Sequence, residues 1–134
     1  MKEYETNMER LLKEMRPLLH NEPVVFCEIT PGGVSALPFE PLGVFREEEG
    51  VTIIASAEDA GRAGLASSGW WAHITLMVHS SLSAVGFIAA VATELARAGI
   101  SVNPVSAFHH DHLFVPWKKR EEAISVLEDL ESTG

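Results

Sequence analysis

The chain has 134 residues, 46% of them hydrophobic and 22% charged, with a formal net charge of −9. That length suits one domain or two small halves sharing a core, and that composition is ordinary for a soluble globular fold. The acidic balance excludes a nucleic-acid backbone as partner, because the one basic run, Lys118-Lys119-Arg120, is followed at once by Glu121 and Glu122.

The first residues are acidic and lack an apolar signal segment, which leads us to expect a cytoplasmic protein. Met8, Leu11, Leu12 and Met15 follow helical spacing, with Thr6 or Asn7 as cap and an end near Arg16, ahead of Pro17. Val24–Ile29 reads as a strand. Within it Cys27, the single cysteine, has no intramolecular disulfide partner and reads as a core residue. Residues 30–41 are rich in Pro and Gly and predict an irregular loop. A hairpin then joins residues 43–46 to 51–55, and Gly50 is expected to supply positive φ at its turn. Ser56 caps a short helix carrying Glu58 and Asp59 in its first turn.

The tract 70–93 is nearly uncharged, yet it contains His73 and His79 and changes periodicity midway, so it does not read as a membrane span. From His73 the alternation is that of a strand, with Ile74, Leu76 and Val78 on one side and His73, Thr75, Met77 and His79 on the other. A helix is expected from Leu82, with apolar positions 82, 85, 88, 89, 92, 95 and 96 and a stop at Gly99. Residues 100–108 and 112–115 form a second hairpin. Pro116 opens a last helix with Ala123, Ile124, Leu127 and Leu130 inward and its end charges opposed to the macrodipole.

Three places carry chemistry. His79-Ser80-Ser81, between a strand end and the expected helix start, suits a carboxylate or other anion, with Leu82, Val85 and Gly86 beyond it. Val102, Asn103 and Pro104 mark an opened or edge strand fit for ligand contact. The turn His109-His110-Asp111-His112 supports a rival metal site, with His109, His110 and His112 as ligands, although adjacent residues at a hairpin tip point apart. No nucleophile triad can be assembled from these residues.

The run HSSLSAVGFIAAVATELARAGISVNPVSAFHHDHLFVP, with FREEEGVTIIA before it, resembles the small stand-alone ACT-domain proteins. The resemblance spans residues 11–130, and SxFHHDHLFVP is its most specific part. It implies an α+β fold of tandem ferredoxin-like β-α-β-β-α-β units, an antiparallel sheet with helices on one face. The halves would be residues 1–66, with the Pro/Gly-rich loop in place of a first helix, and 67–134. ACT domains usually bind small molecules, often amino acids, at interfaces between paired domains. The resemblance therefore implies a ligand between residues 79–86 and the strand at 101–105. The glycine-containing loop of many amino-acid-binding members is here Ser80-Ser81-Leu82, so ligand identity does not carry over.

The expectation is a non-catalytic, cofactor-free, homo-oligomeric amino-acid sensor. The ligand carboxylate would lie at Ser80 and Ser81, with Asn103 reading its amino group. Its rivals are a metal-assisted hydrolase or isomerase at the His109–His112 turn and a purely structural dimerisation module. An RNA-binding domain shares the element order but would need stacking aromatics and basic residues where the strands carry Glu28, Met77 and Asn103.

Overall fold

The structure, a computed structural model, describes residues 4–67 and 69–133. The chain divides into two compact units: a smaller one, Glu22–Trp71, and a larger one formed by the chain up to Asn21 together with the chain from Ala72 onward.

The smaller unit is built on an antiparallel sheet. Strand β2 (Val24–Ile29) pairs with β4 (Val51–Ser56), and β3 (Gly43–Arg46) pairs with the other edge of β4. Helix α2 (Ala57–Arg62) follows, its first turn capped by Ser56, whose side chain accepts from the Asp59 amide. Val25, Cys27, Ile53 and Ala55 alternate inward and bury with Val51 and Ala60. The expected positive φ at Gly50 is not found. A Cβ there would meet Glu28 Oε2 at 2.8 Å, the far end of an exposed side chain that has room to swing aside.

In the larger unit, α1 (Met8–Lys13) is capped by Asn7, whose side chain accepts from the Arg10 amide. It ends earlier than the sequence predicted, with Glu14 as its C-cap, and beyond the cap Arg16 adopts φ 44° and turns the chain back. That turn is held by the Arg16 amide donating to Glu131 Oε2 at 2.8 Å. It delivers a strand the sequence did not announce, β1 (Pro17–Leu19), antiparallel to β5 (Trp71–Leu76). Strand β7 (Asp111–Pro116) neighbours β5, and β6 (Asn103–Ser106) pairs antiparallel with β7 at the end of the row.

Helix α3 is the clearest correction. It runs Phe87–Arg97, not from Leu82, and buries Phe87, Val91 and Leu95, while Leu82 and Val85 are exposed on the preceding loop. Gly86, with φ 93°, is its N-cap and carries no side-chain cap. Helix α4 (Arg120–Thr133) starts four residues past Pro116, which closes β7, so Glu121 and Glu122 occupy its first turn and favour the macrodipole. Leu11 and Met15 of α1, Ile74 and Leu76 of β5, the buried face of α3, Leu113 and Val115 of β7, and Ala123 and Leu127 of α4 form one core. The helices therefore share one face of the sheet, and His73, Thr75 and His112 lie on the other. Among the described residues no helix is long and apolar enough to cross a membrane.

Candidate functional site

Strand alternation explains the centre of the site. Along β7, Asp111, Leu113 and Val115 are all buried, so the carboxylate of Asp111 is carried inward at the end of the apolar row. Burying a carboxylate is costly unless it is hydrogen-bonded. Here Ser80 Oγ donates to Oδ2 at 2.8 Å and Ser106 Oγ donates to Oδ1 at 2.6 Å. Each carboxylate oxygen keeps further acceptor capacity.

A cavity of about 140 Å³ opens beside this group. Ser80, Ser81, Leu82, Ala84 and Gly86 form one side, Ser106, Ala107 and Asp111 another, and the first turn of α3, Phe87 to Ala89, closes it. The first intrahelical bond of α3 runs from the Ala90 amide to the Gly86 carbonyl, so the amides before it have no partner within the helix. No acidic side chain occupies that turn. The cavity thus meets a carboxylate on one wall and the positive end of a helix on another.

The loop of the cavity is tied down from outside. The Glu5 amide donates to the His79 carbonyl and the Ser81 amide donates to the Glu5 carbonyl, while Tyr4 stacks on His79 with ring centroids 4.8 Å apart. Within the loop, the Ser83 amide donates to Ser81 Oγ and the Ala84 amide to the Ser81 carbonyl.

Of the residues expected at the site, Ser80, Ser81, Leu82 and Gly86 line the cavity. His79 and Val85 are exposed beside it, and Val102, Asn103 and Pro104 are not among its lining residues. The serines do not cap α3, whose N-cap is Gly86. Ser80 instead holds Asp111, a contact spanning 31 residues of sequence. Asp111, read from the sequence as a turn residue, is the first residue of β7. The period-two spacing of Leu113 and Val115, extended back to 111, was the sequence signal that could have placed it inward.

The expected metal alternative does not assemble. His109 accepts or shares the Tyr4 hydroxyl proton at Nδ1 (2.7 Å), and the His112 ring contacts His73. Ring centroids of His110 stand 6.4 Å from His109 and 6.5 Å from His112. Among the described residues, no group of three or more His, Cys, Asp or Glu side chains is disposed to hold a metal ion. His109 and His110 lie in the turn before β7 and only His112 lies on the strand, so the three rings do not converge on one point.

Two family models, each described as an ACT domain, match the chain over residues 4–72 and 71–129. The chain belongs to the ACT-domain family, and its fold is a tandem of ferredoxin-like ACT units. A protein of unknown function from Vibrio cholerae, described as a possible transport protein, is 42% identical; the match covers 92% of this chain and 94% of that one, with a TM-score of 0.80. The regulatory subunit of aspartate kinase from Thermus flavus shares the fold at 9% identity, covering 85% of this chain and 95% of that one (TM-score 0.66). The alpha and beta subunits of an aspartokinase do so at 15% identity, with coverage of 85% and 95% and a TM-score of 0.59. No curated protein matches the sequence significantly. ACT domains are typically ligand-binding regulatory domains.

Proposed function

We propose that this protein is a non-catalytic sensor of a small zwitterionic amino acid, bound in the cavity between the 80–86 loop, the start of α3 and Asp111. The observation that carries this reading is the pairing of opposite polarities across one small space. The buried Asp111 carboxylate, steadied by Ser80 and Ser106, complements an ammonium group. The free amides of the first turn of α3 complement a carboxylate. The roles expected from the sequence are therefore redistributed: the carboxylate goes to the helix start at Phe87, and the amino group goes to Asp111 instead of Asn103. The cavity's volume of about 140 Å³ favours a short ligand side chain.

Closure of the site falls to a second copy of the chain. Leu82 is 65% exposed, Val85 87% and Phe108 62%, all on the loops that line the cavity or adjoin them. Beside them β6 ends its row with every residue exposed. An unpaired strand edge bordered by apolar side chains is a template for pairing. Binding between copies would bias their arrangement, which is how a domain without chemistry signals. We place this sensor in the cytoplasm, as the sequence led us to expect.

Thermal unfolding with each of the twenty amino acids at millimolar concentration tests the reading. A bound amino acid at about 100 times its Kd adds about 2.7 kcal/mol and raises Tm accordingly. Small amino acids are expected to stabilise the wild type and to lose their effect on Asp111→Asn. Indifference to all twenty would overturn the proposal.

A further inference from the structure

All six histidines of the chain lie in the larger unit, and they form one continuous run. In order stand His109, His79, His110, His112, His73 and His20, with successive ring centroids 6.4, 4.8, 6.5, 5.1 and 4.1 Å apart. The sequence scatters these residues over five separate elements and turns, and none of their rings lines the cavity.

The inner end of the run is tightly connected. Three ring nitrogens surround Thr75 Oγ1: His20 Nε2 at 2.8 Å, His112 Nδ1 at 3.2 Å and His73 Nε2 at 3.3 Å. His73 Nε2 and His112 Nδ1 also stand 2.9 Å from each other. His20 stacks on His73, and its amide donates to the His73 carbonyl at 2.9 Å. His73 stacks in turn on Phe114.

A contact of this kind has room for one proton. A neutral imidazole presents one donor and one acceptor, whereas a charged one presents two donors. With His73 and His112 both charged, two N–H groups would face each other at 2.9 Å and two positive charges would sit within the same few ångströms. The groups facing these rings are ill suited to compensate. Thr75 and Phe114 are uncharged, and Asp111, the carboxylate that acts on His112, is engaged by Ser80 and Ser106. At the outer end Tyr4 donates to or shares a proton with His109, and His110 Nε2 is buried without a hydrogen-bond partner among the described residues.

We propose that the histidine run is an acid-sensitive clasp, which ties the segment after β1 and the β6–β7 hairpin to β5 near neutral pH and opens when it takes up protons. The proposal stands apart from the ligand reading and does not depend on it. Burial pushes His73 down to about 3, with His20 and His112 adding to the effect. Burial likewise lowers His112, assisted by His110 and His20 and opposed by Asp111, and it lowers His20. His110 is lowered by burial and then by His79 and His109.

The sign follows from these directions. Freed imidazoles take up protons at 6.5, whereas the clasped His73 resists until about 3. The clasp therefore contributes fully above 6.5 and loses strength as pH falls through that window. Each ring that gains a proton on opening favours the open state by about tenfold per pH unit.

Denaturant unfolding of the full chain between about pH 7.5 and 5, a range in which imidazoles and few carboxylates titrate, tests this. The wild-type unfolding constant is expected to rise by at least tenfold per pH unit below about 6.5. His73→Gln should flatten that dependence. His20→Gln, at the half-buried rim, should remove about one proton's worth of slope even if the His73 variant fails to fold. Ring-carbon NMR titration of the wild type should show His20, His73 and His112 neutral where free imidazole is half charged. Titration of all three near 6.5, or an unchanged slope in both variants, would overturn the clasp.

Discussion

At Gly86 the backbone turns through φ 93°, and that one torsion decides where α3 begins. A Cβ there would also stand 3.3 Å from Met8 Sδ. Gly86→Ala should therefore lower the unfolding free energy by about 1–2 kcal/mol, read by urea denaturation. Gly61→Ala in α2, where φ is not positive and a Cβ meets nothing within 4 Å, should stabilise by about 0.5–1 kcal/mol. The sequence placed Gly86 inside a helix expected to start at Leu82, with 82 and 85 among its apolar positions. What it could not display was Ser80's partner, since a hydrogen bond to Asp111 depends on tertiary approach. The same holds for His20 and Thr75, 55 residues apart.

Elements with a strong internal period were legible. The alternation of β5 placed Ile74, Leu76 and Val78 in the core, and α4 buries Ala123 and Leu127 as its spacing required. Short elements fixed by partners were not legible. Strand β1 has three residues and begins with proline, so it exists only because β5 pairs with it. The face of α3 was misjudged for a related reason: starting the helix at Leu82 brought loop residues 82 and 85 into the pattern and missed Phe87 and Val91. Strand β6 carries the element-scale prediction. If a second copy pairs along it, Val105→Lys, which places a charge on an exposed edge, should shift the protein to monomer in sedimentation. Its unfolding free energy at high dilution, where wild type is also dissociated, should stay within about 0.5 kcal/mol of wild type. A wild type already monomeric at high concentration contradicts the pairing.

At the scale of the whole molecule, a resemblance read along the sequence became family membership through two adjoining ACT-domain matches. The compact units follow a different logic from a linear division, because α1 and β1 belong with the chain beyond Ala72. Leu11 and Met15 complete the larger core, and Glu5 braces the loop that lines the cavity. The site and its supports thus lie within one unit. Its chemistry is compact: one buried carboxylate, two hydroxyls and one uncapped helix start. Amide chemical-shift mapping with the amino acid that most raises Tm tests this arrangement most directly. Ser81, Phe87, Ile88, Ala89 and Ala107 are expected to shift first, and Asp111→Asn to abolish those shifts. Shifts centred elsewhere, or unchanged by Asp111→Asn, would contradict it.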